Sequence, residues 1–169
     1  GFQRVGDLIW QAADARAKGF LLGATAGRTT LHGEGLQHQD GHSLVLASTV
    51  PACRAYDPAF AYEVATIVRE GIKEMYGESL NDVFYYLTLY NENYPMPVMP
   101  ESSDSNKSIV EQIMQGLYLW KQAPSIKHRA SILFSGSAHS AASAAAAELL
   151  ERYGVGCELW SATSYKLLR

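Results

Sequence analysis

Val5, Leu8, Ile9, Ala12 and Ala13 fall at three- and four-residue spacing, a pattern that predicts an opening helix with one apolar side, interrupted by Arg16. Phe20 to Ala24 follows Gly19 as a short apolar run, and Leu44 to Val50 is a second, ended by Pro51. Both are short enough to be strands of a parallel sheet covered on its two faces. Asp57 and Pro58 then give a helix start, a capping side chain followed by the residue best suited to the first helical position. Val64, Ile67, Val68, Ile72 and Met75 carry this helix to a stop at Gly77. Val83 to Tyr90 is rich in β-formers and predicts a third strand.

The texture changes at Asn91. Prolines at 95, 97 and 100 exclude a helix or a central strand there, and Glu101 to Lys107 is polar. Residues 91 to about 127 read as an interdomain connection, with a short helix around Ile109 to Met114. A strand from Ala130 to Phe134, Gly136, an alanine-dense helix from Ser140 to Tyr153, Gly154 as its stop and a strand from Cys157 to Ser161 follow in the order of a β-α-β unit. The alanines suit close packing of that helix on a sheet. The fold class expected is therefore α/β, a partial parallel sheet flanked by helices and then one β-α-β unit. The first helix has no lead-in after Gly1, and Tyr165 to Arg169 follow the last strand without a closing element. The expectation is a piece of a longer polypeptide, cut on both sides.

Composition narrows the class. The 169 residues allow one full domain or two partial ones, and 47% hydrophobic with 18% charged residues is the make-up of a folding chain. A formal charge of -3, evenly spread, gives no basis for a nucleic-acid surface or a polybasic membrane contact. Cys53 and Cys157 stand alone, without a CxxC or Cys/His ligand pattern, which argues against a disulfide scaffold or structural zinc and fits a reducing cytoplasm. No apolar stretch approaches the roughly 18 residues of a membrane span.

The chemistry concentrates between the first two apolar runs. Residues 23 to 43 hold five glycines, three histidines (His32, His38 and His42), Glu34, Asp40 and Arg28. In α/β sheets ligands bind at the loop after a strand's carboxyl end, and a connection of this length without periodicity is usually functional. His38 and His42, four apart, have a spacing that can hold zinc, but Gly41 lies between them and no HExxH supports it. Gly33-Glu34-Gly35 has part of a nucleotide loop, yet Glu34 would repel phosphate. Mutual hydrogen bonding that shapes the loop is the plainer account of His32 and His42, whereas a catalytic imidazole fits His38 best. Ser135-Gly136-Ser137 is explained by a tight turn, although phosphate can sit at such a place. Tyr85, Tyr86 and Tyr90 are expected to pack on the sheet or at a subunit interface.

The segment Gly27-Arg28-Thr29-Thr30-Leu31-His32-Gly33-Glu34-Gly35-Leu36-Gln37-His38-Gln39-Asp40-Gly41-His42-Ser43 resembles the homodimeric type of pyruvate dehydrogenase, its thiamine-diphosphate-dependent decarboxylating component. The likeness continues through Tyr56 to Val64, Asn91-Glu92-Asn93-Tyr94 and Tyr153-Gly154-Val155-Gly156. It implies that residues 1–97 are the later part of a domain facing the cofactor's pyrimidine ring, 98–127 a connection, and 128–169 the start of a carboxyl-terminal domain. It also implies a cytoplasmic homodimer that decarboxylates pyruvate and acetylates the lipoyl domain of dihydrolipoyl acetyltransferase. Within the wider transketolase-like superfamily the acidic-Gly-x-x-His pattern matches Glu34 to His38, with the histidine beside the substrate and Glu34 orienting the loop or tuning His38. The glutamate, the aromatic residue and the Gly-Asp-Gly segment that hold thiamine diphosphate and magnesium in such enzymes have no counterpart in this chain. A transketolase or a 2-oxobutyrate-preferring relative is the near alternative, and a non-catalytic interaction module the distant one.

Overall fold

The computed structural model describes residues 2–25, 42–78 and 80–169. Strands β1 (Phe20–Thr25), β2 (Cys53–Tyr56) and β3 (Phe84–Tyr90) form a parallel sheet in the order β1-β3-β2. The central strand β3 alternates between two apolar environments, as a strand covered on both faces must. Phe84 and Tyr86 face a cluster with Phe2, Ile9, Ala47 and Val50, contributed by helices α1 (Gly6–Asp14) and α2 (Ser43–Thr49) and the turns beside them. Tyr85 and Leu87 face Tyr56, Ile67, Met75, Ile109 and Ile113, from β2 and from α3 (Ala61–Tyr76) and α4 (Ile109–Gln115). The tyrosines therefore serve the core: Tyr85 is stacked 5.9 Å from Tyr56, and Tyr86 meets Phe2 edge-on at 5.1 Å.

A second sheet has the order β4-β6-β5, with β4 (Tyr118–Lys121) antiparallel and β5 (His128–Phe134) parallel to β6 (Val155–Ser161). Helix α5 (His139–Tyr153) makes the crossover from β5 to β6. Gly154, at φ 63°, ends α5 in the left-handed conformation that closes a helix. A third apolar cluster, Ala59, Phe60, Phe134, Ala142 and Leu159, joins the segment before α3 to this sheet.

Four expectations are corrected. Leu44 to Val50 is not a strand: Ser43–Thr49 is helical, and the strand begins after Pro51, at Cys53. The run is too short for composition to distinguish the two, and Ser43, Ala47 and Val50, spaced by four and three, are the positions it buries. Helix α3 starts at Ala61 rather than beside Asp57, because residues 57–60 are buried against the second sheet. In α1 only Ile9 is fully buried, while Leu8, and Val5 just before the helix, are exposed. The stretch expected to be a connection contributes, besides the anticipated α4, the strand β4.

Candidate functional site

Strand β1 carries the chain to Thr25, the position from which the glycine- and histidine-rich segment departs. His38 and Glu34, together with Arg28 and His32, lie outside the described residues. Of that constellation His42 and Ser43 are described: His42 is exposed at the N-cap of α2 with no side-chain capping bond, and Ser43 is buried. The zinc spacing of His38 and His42 falls partly outside the described residues; among the described residues no group of three or more His, Cys, Asp or Glu could hold a metal.

The described residues build a junction where the carboxyl ends of β2, β3, β5 and β6 converge. Asp57, the residue after β2, is 1% exposed. Its carboxylate accepts hydrogen bonds from Thr88 and Tyr90 of β3, and from Ser135, just past β5, at 2.8 Å. The backbone joins in: Asp57 N donates to the Thr163 carbonyl at 2.7 Å, and Gly136 N donates to the Asp57 carbonyl at 3.3 Å. Ser135-Gly136-Ser137 thus spends a hydroxyl on a carboxylate, the opposite of a phosphate cradle. Gly136, at φ 52°, is required here, since a Cβ would stand 2.4 Å from the Tyr90 ring.

Glu63 makes a second crossing between the sheets and is fully buried. Its Oε2 accepts from the backbone N of Ala59 at 2.5 Å and of Phe60 at 3.2 Å, capping α3. Its Oε1 accepts from Tyr118 of β4 at 2.6 Å and Ser161 of β6 at 2.7 Å. Tyr62 lies 2.6 Å from the Tyr118 hydroxyl, and since Tyr118 donates to Glu63, Tyr62 is the donor in that pair. Burial pushes the Glu63 carboxyl up, against the four hydrogen bonds that favour its ionised form, and burial likewise raises Tyr118.

Beside this crossing, the imidazole of His139 opens α5 inside an aromatic box, 4.3 Å from Tyr94 and 5.2 Å from Phe60 between ring centres. Nε2 is 3.1 Å from Ser140 Oγ, while Nδ1 is buried without a hydrogen-bond partner. Burial lowers the His139 pKa, against smaller upward pulls from the Gly136 backbone and from Glu92. Within the same box, burial raises Tyr94 to about 12. The sign for stability follows: below about pH 6.5 the unfolded chain binds this proton before the folded one does. The expected result is that the wild type loses thermal stability relative to His139→Phe as the pH falls from 7 to 5.5, read by paired melting curves. A constant gap across that range would contradict it.

Asp57, Glu63 and His139 were not readable as a cluster in the sequence. Asp57 carries the local signature of a helix cap, and its hydroxyl partners lie 31, 33 and 78 residues away. The one available signal for Glu63 was its place three residues after Phe60, the spacing at which an acid turns back to cap a helix.

The fold so assembled is that of the transketolase class. The solved transketolase from Campylobacter jejuni superposes with a TM-score of 0.67 over 98% of this chain and 23% of its own, at 18% identity. A transketolase from Pichia stipitis gives 0.66 over 99% of this chain and 22% of its own, also at 18% identity. These likenesses concern the fold. In sequence, residues 1–97 match the family model described as the pyruvate dehydrogenase E1 component middle domain. Proteins named pyruvate dehydrogenase E1 component are 55% identical in Mycolicibacterium smegmatis, 54% in Corynebacterium glutamicum and 49% in Escherichia coli, each over 98% of this chain. The chain belongs to the pyruvate dehydrogenase E1 component family. It spans 17–18% of the length of these relatives.

The thiamine diphosphate and magnesium that the resemblance implies can be tested against the residues described. The carboxylates of Asp57 and Glu63 are committed to hydroxyl and backbone donors on both oxygens, which leaves neither as a magnesium ligand. These two carboxylates do not fit the group, and no step is derived through it. Their chemistry is mechanical: they lock two sheets together at the end where α/β folds bind ligands.

Proposed function

We propose that the chain is part of a subunit that decarboxylates pyruvate and passes the acetyl group to the lipoyl domain of dihydrolipoyl acetyltransferase. The observation that carries this is the identity of about half the residues, over 98% of the chain, to pyruvate dehydrogenase E1 components. The intact subunit works with thiamine diphosphate and magnesium, as a cytoplasmic homodimer. No described helix is long and apolar enough to cross a membrane. Residues 1–97 form the later part of the pyrimidine-type domain, 98–127 the connection and 128–169 the start of the carboxyl-terminal domain.

In this reading His38 is the catalytic residue. When the 2-oxo carbon of pyruvate is attacked, negative charge develops on its oxygen, and an imidazole can give that oxygen a hydrogen bond or a proton. Histidine suits the task because its ordinary pKa lies near working pH. Glu34, four residues earlier, orients the loop or tunes His38 and is no nucleophile. The groups that hold thiamine diphosphate belong to other parts of the subunit, so the isolated chain neither binds the cofactor tightly nor turns over pyruvate.

Substrate profiling tests the proposal. The intact subunit is expected to release carbon dioxide from pyruvate faster than from 2-oxobutyrate and to leave ketose phosphates untouched, and the 169-residue chain to show no magnesium-dependent thiamine diphosphate binding in calorimetry. Turnover of ketose phosphates in place of pyruvate would move the protein to the transketolase alternative. Cofactor binding by the isolated chain would contradict the division of labour.

A further inference from the structure

Strand β2 is an edge of the first sheet among the described residues, so the backbone groups on its outer side have no strand partner there. The alternation of a strand fixes which groups these are. Phe84 N donates to the Ala52 carbonyl, so Ala52 faces β3, and Cys53, Ala55 and Asp57 face outward. All three are met by the segment that follows β6. Lys166 Nζ donates to the Cys53 carbonyl at 2.6 Å, and Ser164 Oγ to the Ala55 carbonyl at 2.6 Å. The Thr163 carbonyl accepts from Asp57 N at 2.7 Å. Running antiparallel to β2, Thr163 to Lys166 acts as a surrogate edge strand built largely from side chains.

Lys166 does more than cover an edge. Its ammonium also donates to the carbonyls of Val50, at 2.6 Å, and Ala47, at 3.4 Å, at the carboxyl end of α2. Each of those carbonyls also accepts one backbone N–H, Ala47's from Val50 at 3.3 Å and Val50's from Cys53 at 3.1 Å, and the ammonium takes up their remaining capacity at a helix end where Pro51 has no N–H to offer Ala47. A cation is favoured at this end of a helix. Among the described residues no carboxylate pairs with Lys166, so the carbonyls are what hold it; burial lowers its pKa.

We propose that Lys166 is a positioning residue for the reaction: from the carboxyl-terminal unit it clamps the far end of α2, the helix into which the chain runs from the segment bearing Glu34 and His38. This rests on the functional reading given above for His38. The helix has seven residues, about two turns, too short to be rigid by itself. Its amino end continues from the catalytic segment and its carboxyl end is fixed by a side chain from the second sheet's unit. Looseness at Val50 is therefore passed along two turns to His42 and Ser43, which follow the segment bearing Glu34 and His38 in the chain.

The test uses the intact subunit with Lys166→Met, which keeps the side chain's length and apolar stem but removes its donors, and Lys166→Arg, which restores donors and charge. The Met variant is expected to exchange the α2 amides about tenfold faster, the effect of losing charge-assisted hydrogen bonds, with exchange in β5 and β6 at the wild-type level. Its kcat for pyruvate is expected to fall about tenfold while KM changes less than twofold, and the Arg variant to recover most of both. Should Lys166→Met fail to fold, Lys166→Gln carries the same comparison. Unchanged α2 exchange would overturn the clamp, and faster α2 exchange with wild-type kcat and KM would overturn the positioning role. A His38→Ala subunit on the same bench separates the two levels: if that variant keeps wild-type turnover, the functional reading fails and the positioning role with it, while the exchange arm still reports the clamp.

Discussion

Glu63→Ala is expected to cost about 4 kcal/mol or more of folding stability. Four donors converge on that carboxylate: the backbone N of Ala59 and Phe60, and the hydroxyls of Tyr118 and Ser161. Each buried donor left without an acceptor costs about 1–3 kcal/mol, and a single domain has only about 5–15 kcal/mol to lose. Glu63→Gln separates the contributions. Tyr118 and Ser161 can rotate their hydroxyls to accept from an amide N–H, whereas the backbone N–H groups of Ala59 and Phe60 cannot reverse. The amide oxygen is therefore expected to stay at the helix and the nitrogen to face the hydroxyls, at a cost of roughly 1–2 kcal/mol. Chemical denaturation of the three proteins gives the order. Equal stability of wild type and Glu63→Ala would show that the crossing between α3 and the second sheet is dispensable.

His38→Ala is expected to lower turnover of pyruvate by the intact subunit by about 10²–10⁴-fold, the usual contribution of a positioned acid or base. Cofactor affinity is expected to change little, because the groups assigned to holding thiamine diphosphate are elsewhere in the subunit. The split is diagnostic. A residue that only shapes its loop would weaken substrate binding and catalysis together, whereas one that meets charge developing in the transition state lowers kcat and kcat/KM alike. The two substitutions also act on different levels. Glu63 holds the junction on which the site's surroundings rest, and His38 does the chemistry proposed for it.

Much of this was legible in the chain, and the failures have a common cause. The unit from β5 to β6 could be read almost residue by residue, because a short β-rich run, Gly136, an alanine-dense helix and Gly154 each carry a local signal that the packing then obeys. β3 was equally plain, since a central strand is apolar on both faces. The run from Leu44 to Val50 was misread because strand and helix compositions overlap over seven residues, and the burial of positions spaced by four and three decides for the helix. β4 has four residues, and its place comes from pairing with β6 across the helix α5, which no local pattern announces.

The same divide runs through the candidate site. His38 and Glu34 stand out by motif, because the chemistry proposed for them rests on residue types at fixed spacing within one segment. Asp57, Glu63 and Lys166 stand out by geometry alone. An Asp before a proline looks like a cap, a Glu in the first turn of a helix like a favourable charge, and a Lys near the end of a chain like a solvated tail. Each instead closes a hydrogen-bond network with residues remote in sequence, from 55 to 116 positions away in the cases of Tyr118 with Glu63 and Lys166 with Val50. Local propensity carries no information at that range, and buried polar groups are paired wherever the fold brings partners.

The central claim is that this segment supplies a pyruvate-decarboxylating subunit with its acid–base histidine. The most direct measurement is carbon dioxide release from pyruvate by the intact subunit, wild type beside His38→Ala, with thiamine diphosphate affinity measured on the same preparations. The account predicts wild-type release that depends on pyruvate, a loss of two orders of magnitude or more in the variant, and cofactor affinity within a fewfold of wild type. Equal release by the two proteins would contradict it.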